Sequence, residues 1–140
     1  MDITLKIGTR SETVQVPEAN LQGILTPNEV SVALTGEAEV RRALNEPIGT
    51  PRLRDIVHPG EKIAIITSDI TRPMPTWKVM PALLDELYDA GVKREDITLV
   101  FALGSHRCHT EEEQRHLAGD RAWSEITCVD GNTADCVHIG

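Results

Sequence analysis

The period of the apolar positions changes along this chain, and each change marks an element. Near the start, ITLKI (3–7) and TVQV (13–16) alternate in side-chain character around GTRSE, which predicts a β-hairpin with a five-residue connection. After Pro17 no period is visible until GEAEVRRALNEP. There Val40, Ala43 and Leu44 fall at helical spacing and Pro47 ends the pattern, giving a short helix from about Glu37 to Asn45. A second short helix is expected from Thr50, with Pro51 in its first position and Leu53, Ile56 and Val57 turned inward, before His58-Pro59-Gly60 stops it.

The middle of the chain has a stronger rhythm. KIAIITS (62–68) is a near-continuous apolar run, the pattern of a strand buried on both faces. Residues 77–90 then show helical spacing through Val79, Leu83, Leu84, Leu87 and Ala90, with Gly91 suited to the helix end. DITLVFALGS (96–105) reads as another buried strand. TEEEQRHLAG (110–119) reads as a helix with Thr110 as N-cap and Glu113 in the capping-box position, and EITCVD (125–130) as a third strand. Strand and helix alternate, so the predicted class is α/β: a Rossmann-like layered domain with a mainly parallel sheet flanked by helices and an N-terminal β-hairpin. A single domain over residues 1–140 is expected, because 140 residues with 40% hydrophobic content can bury one ordinary core.

Composition narrows the function classes. Aromatic residues make up 3% of the chain, so the core must come from Ile, Leu, Val and Ala. A formal charge of -8, from 14 basic and 22 acidic residues, lacks the clustered cations that a nucleic-acid backbone would favour. No stretch approaches the roughly 20 apolar residues of a membrane span, and MDITLKIG does not resemble a leader. Cys108, Cys128 and Cys136 are odd in number and lack zinc-site spacing, which suits a reduced, cytoplasmic setting. GxxxxGK[ST], GxGxxG and GxSxG are all absent, so the common nucleotide loops and the hydrolase elbow are unsupported.

Two polar clusters remain, one at the exit of each central strand: TSDITRP (67–73) and GSHRCHT (104–110). In parallel sheets, ligands collect beyond the carboxyl ends of the strands, so the two exits are candidates for one site. His106 can exchange a proton near neutral pH, and Arg72 and Arg107 can clamp a carboxylate or phosphate. Asp69 can orient one of these groups, with Thr71 beside it. Gly104 and Ser105 leave room for a ligand, and Thr110 at a helix start adds free N–H groups. Plainer readings stand beside these. Asp69 and Thr71 can cap the turn with Arg72 paired to Asp69, and His106 can be a solvated loop residue. His109 reads as a solvent-facing neighbour of the helix start, His116 and His138 as surface or packing residues, and Cys108 as a passive thiol. His106 and His109 have no third ligand close in sequence, so no metal site is expected from them.

The pairing of SDxTRPxP (Ser68 to Pro75) with GxHRxxT (Gly104 to Thr110) resembles the N-terminal part of the nickel-pincer lactate racemase family. The likeness also covers NLQGILTPNEV, VRRALNEPIGTPRLRDIV and the order of elements between the motifs. The resemblance implies an isomerase that racemises or epimerises 2-hydroxy acids with a nickel-pincer nucleotide. A histidine removes the hydroxyl proton while hydride passes to the cofactor, leaving a planar 2-keto acid that is reduced from either face. His106 matches that histidine, Arg72 the arginine expected to bind the substrate carboxylate or stabilise charge, and Asp69 a supporting aspartate. The cofactor-bound lysine, the nickel-ligating histidine and the second acid/base histidine lie further along the family's chains. This chain is therefore expected to neither hold the pincer nor turn over substrate alone, and to need the remaining C-terminal domain as partner. Where the family often has a His-Asp pair after the last of these strands, this sequence has Asp130-Gly131-Asn132. The alternative is a non-catalytic small-anion-binding or scaffold module.

Overall fold

The computed structural model describes residues 1–131 and 137; Cys136, His138 and Asn132, singled out above, lie outside the described residues. The chain divides into two compact units, Met1–Val32 and Ala33–Gly140.

The first unit is built on an antiparallel hairpin of β1 (Asp2–Ile7) and β2 (Arg10–Gln15), with Ile7 opposite Arg10 and Asp2 opposite Gln15. The connection is two residues, Gly8-Thr9, instead of the expected five. Gly8 adopts φ +61, as the first central position of a tight II′-type hairpin turn requires, and this lets the ladder close through the polar residues Arg10 to Glu12. Polarity hid these residues because strand pairing uses backbone groups, and β2 is exposed along its whole length.

The second unit holds α1 (Gly36–Asn45), α2 (Leu53–Ile56), β3 (Ile63–Ser68), α3 (Thr76–Asp89), β4 (Ile97–Ala102), α4 (Glu111–Ala118), α5 (Asp120–Glu125) and β5 (Thr127–Asp130). Its strands form a parallel sheet in the order β3-β4-β5, so the predicted fold class holds. The core lies against one face of the sheet. Ile97, Leu99 and Phe101, alternate residues of β4, are buried with Met80, Leu84 and Leu87 of α3, Leu117 and Ala118 of α4, and Ala122 of α5. The strand order never reverses, so the two crossovers, of one hand, deliver α3, α4 and α5 to the same side. The other face is correspondingly open: Ala64 and Ile66 of β3 are exposed, Ile66 by 73%, which corrects the expectation that this strand is buried on both faces. The apolar run is real, yet only alternate residues of it reach the core.

Local corrections have similar causes. The α2 helix begins at Leu53, so Pro51 precedes it instead of starting it, and Ile56 points outward while Leu53 and Val57 pack on the core. Arg52 and Arg54 fasten this segment to α3 by hydrogen bonds of 2.6 to 2.9 Å to the buried Glu86 carboxylate. The Arg54 guanidinium, against opposing desolvation and with help from Arg52, pulls Glu86 down to about 2. The end of α3 is as expected: Gly91 at φ +84 donates to the Tyr88 carbonyl and Val92 to the Leu87 carbonyl, a Schellman closure. One helix was not foreseen. Gly119 ends α4 at φ +80, and a Cβ there would come within 2.8 Å of Trp77 Cβ, so the chain turns against α3 and restarts as α5.

Candidate functional site

Parallel strands end on a common rim, and the polar residues of all three strand exits gather there. Ser68 closes β3 and Ala102 is its paired residue on β4, while Phe101 pairs with Asp130 at the end of β5. The exit of β3 is held on both sides. Ser68 Oγ accepts the Met74 N–H at 2.9 Å, the Thr67 and Thr76 hydroxyls meet at 2.5 Å in a buried contact, and the Arg72 N–H donates to the Asp69 carbonyl at 3.3 Å. Residues 69–75 thus form a short loop anchored at its base, from which particular side chains project.

Asp69 is 5% exposed, and its carboxylate is shared. Oδ1 accepts the Thr71 hydroxyl at 2.8 Å and the Thr71 N–H at 3.2 Å, while Oδ2 lies 2.5 Å from His106 Nδ1. The Thr71 hydroxyl, opposed by desolvation and aided by the His106 ring, holds the Asp69 carboxyl below the ordinary aspartate range. Asp69 is therefore an acceptor, which makes His106 Nδ1 the donor and leaves Nε2 as the outward ring nitrogen, an acceptor whenever the ring is neutral. The imidazole side chain is 47% exposed, with no hydrogen bond at Nε2 among the described residues. On the β4 side, Gly104 at φ +59 makes the turn that brings the His106 N–H to the Leu103 carbonyl at 3.0 Å.

The surface-pair reading of Asp69 with Arg72 is not what forms. Asp69 caps its own turn through Thr71 and pairs with His106, while the exposed Arg72 side chain has no hydrogen bond or ion pair among the described residues. Arg107 is engaged elsewhere, gripping Glu113 with its two terminal guanidinium nitrogens at 2.8 and 2.7 Å and the Cys108 carbonyl at 2.9 Å. Thr110 forms the expected capping box with Glu113 at the start of α4. The Arg107 guanidinium and the Thr110 N–H take Glu113 down to about 2, so a carboxylate from the chain itself already occupies that helix start. Thr71, Arg72, Gly104, Ser105 and His106 are all exposed, and the site as described is an open rim. A hollow of about 580 Å³ lies elsewhere, lined by Trp77, Pro81, His116, Gly119 and Arg121 among others, with neither His106 nor Arg72 in its wall.

His109 corrects the sequence expectation most sharply. Its side chain is 1% exposed, not solvent-facing. Nδ1 lies 2.6 Å from Asp130 Oδ1, the His109 N–H donates to Asp130 Oδ2 at 2.7 Å, and Nε2 accepts the Ile70 N–H at 3.0 Å. Phe101 stands edge-on to the ring at 5.4 Å between centroids. Burial raises the Asp130 carboxyl, but the His109 ring and backbone and Gln114 more than offset this, leaving it below the ordinary range. The clue available in the sequence was an aspartate ending the third strand, a potential partner for any histidine on the neighbouring exit. Which histidine turns inward was not readable from spacing.

Comparison with known proteins agrees with this architecture. The model of the lactate racemase N-terminal domain matches residues 7–140. The chain is 36% identical over 121 residues to a lactate racemase of Thermoanaerobacterium thermosaccharolyticum, covering 85% of this chain and 28% of that protein. It is 32% identical over 113 residues to a lactate racemase of Lactiplantibacillus plantarum, covering 79% and 26% respectively. The solved structure of the lactate racemase apoprotein from T. thermosaccharolyticum superposes with a TM-score of 0.76 at 33% identity, over 94% of this chain and 30% of that one. The chain thus spans between a quarter and a third of the length of these relatives, and within that span it belongs to the lactate racemase N-terminal domain family.

Proposed function

We propose that this chain is the N-terminal part of a nickel-pincer-nucleotide-dependent 2-hydroxy-acid racemase or epimerase, an isomerase working by proton abstraction at the hydroxyl and reversible hydride transfer. The observation that carries the reading is the Asp69–His106 pair, with Nδ1 held by a buried carboxylate and Nε2 turned outward. Such a ring takes a hydroxyl proton at Nε2 and returns it, while the carboxylate keeps the tautomer and steadies the imidazolium that forms. Arg72, exposed on the same loop as Asp69, supplies a fork that matches the carboxylate common to 2-hydroxy acids. Thr71 holds Asp69 from the other side, and the exposed Gly104 and Ser105 just before His106 would leave room for a ligand.

The cofactor would supply the hydride acceptor. Among the described residues no group of three His, Cys, Asp or Glu stands together to hold a metal ion, and on this reading the nickel would be held by the pincer nucleotide and by a histidine further along the full-length chain. The roles of the described residues end at the proton and the substrate carboxylate. The rest of the site would come from the C-terminal domain of the same protein. No described helix is long and apolar enough to cross a membrane, and the reading places the enzyme in the cytoplasm. The small-anion module is the weaker reading, because Arg107 and the start of α4 already hold Glu113.

Substituting His106→Ala in the full-length protein tests the assignment. Racemisation of a 2-hydroxy acid, followed by polarimetry or chiral chromatography, is expected to fall by about 10²–10⁴-fold, the usual worth of a positioned proton-transfer group. Activity within a few-fold of the parent would remove His106 from the mechanism.

A further inference from the structure

Where β3 ends at Ser68, the sheet ladder no longer serves the next amides, yet Ile70 is partly buried and its N–H needs a partner. The partner is the Nε2 lone pair of His109, reached from the exit of β4. Only a neutral imidazole with its proton on Nδ1 can accept there. Asp130, at the end of β5, selects that tautomer by accepting Nδ1–H with one oxygen and the His109 backbone N–H with the other. A continuous line of hydrogen bonds therefore ties β5 to the β4 exit and the β4 exit to the β3 exit. It arrives one residue from Asp69, the carboxylate that orients His106.

We propose that His109 is a positioning residue for the proton-transfer pair. By pinning the Ile70 amide while Asp130 locks its tautomer, it sets the backbone that presents Asp69 and Thr71 to His106. Its catalytic meaning rests on the proposed role of His106; its structural half does not. Nothing in the motif GxHRxxT demands a histidine at this position, and the ring touches neither His106 nor Arg72 by any described hydrogen bond.

Two conservative substitutions separate this role from simple packing. The terminal amide of His109→Gln extends to about where Nε2 stands and can still accept the Ile70 N–H. The shorter amide of His109→Asn reaches about as far as Nδ1, so it can donate to Asp130 but leaves Ile70 without an acceptor. In the full-length enzyme, His109→Asn is expected to lower kcat by about 10–100-fold with KM nearly unchanged, and His109→Gln to stay within about threefold, because a misplaced general base is penalised in the chemical step. Equal effects of the two variants, or a loss confined to KM, would overturn the proposal. Nitrogen-15 NMR of the 140-residue chain gives a second readout independent of turnover. His109 Nδ1 is expected at a protonated-nitrogen shift, Nε2 at an unprotonated one, and the Ile70 amide is expected to exchange slowly. Protonated Nε2 would end the idea. Should His109→Asn fail to fold, Asp130→Asn carries the same test, since an amide facing Nδ1 favours the other tautomer and should speed Ile70 exchange. If the parent enzyme racemises no hydroxy acid, the functional reading fails, while the nitrogen shifts and the Ile70 exchange still decide the positioning role.

Discussion

Two histidines three residues apart each lie against an aspartate, and they are built for opposite ends. His106 is half-exposed, gives Nδ1 to Asp69 and keeps Nε2 outward; His109 is buried and has both ring nitrogens engaged, one by Asp130 and one by the Ile70 amide. The chemical pair is the same. What differs is whether a lone pair is left over for something other than the protein. A His–Asp contact is free to serve proton transfer, the role proposed for His106, only when one nitrogen is open, and the same contact with both nitrogens engaged can act as a strut, as proposed for His109.

The comparison breaks most visibly at Asp69. In the full-length protein, Asp69→Asn presents an amide to His106 Nδ1 and favours the wrong tautomer, so kcat is expected to fall by about 10²–10³-fold, less than for a fully buried dyad because His106 is partly hydrated. Steady-state kinetics at several pH values would check this, and retained activity would show that the pair is only a contact. Glu86 provides a contrast: a buried carboxylate with two basic partners and no open group. Glu86→Gln is expected to cost about 2 kcal/mol of stability in chemical denaturation, a buried-pair penalty reduced because both arginines are about one-third exposed. Its pKa is depressed on folding, so its contribution is present above the ordinary glutamate value of 4.5 and is lost as pH falls toward about 2. An acid titration of stability should therefore be flatter over that window in Glu86→Gln than in the parent.

A smaller effect sharpens the site further. Arg72→Lys keeps the charge and loses the fork, and is expected to raise the KM for a 2-hydroxy acid about 10-fold, with little change in melting temperature because the side chain is exposed. The smallest effect belongs to the open face of the sheet. Ile66→Thr should shift stability by no more than about 0.5 kcal/mol in the 140-residue chain, as expected for an exposed position. A large loss in calorimetry would mean that this face is covered in solution.

Much of the fold was legible because it depends on local rules. Helical spacing located α1 and α3, Gly91 marked the end of α3, and Thr110 with Glu113 wrote the start of α4 into four residues. The failures are equally specific. The apolar run 62–68 did not reveal that Ile66 faces outward, because burial on the second face depends on where the crossovers send the helices. TEEEQRHLAG did not reveal α5, because the break at Gly119 answers to Trp77, more than forty residues earlier. At the candidate site, the two exit motifs brought forward Asp69, Arg72 and His106 as candidates, but His109 read as a surface residue. Its partners, Ile70 and Asp130, are 39 and 21 residues away.

The alternation of strands and helices, the polar composition of the two exits and the capping that starts α4 are written locally in the chain, since each follows from side-chain period or from groups within one helical turn. Which imidazole faces water and which is enclosed, that Arg107 serves Glu113, and that one side of the sheet stays open all depend on how distant segments pack. Side-chain identity states what a group can donate or accept. The partner it finds is set by parallel pairing, which aligns strand ends that lie tens of residues apart in the chain.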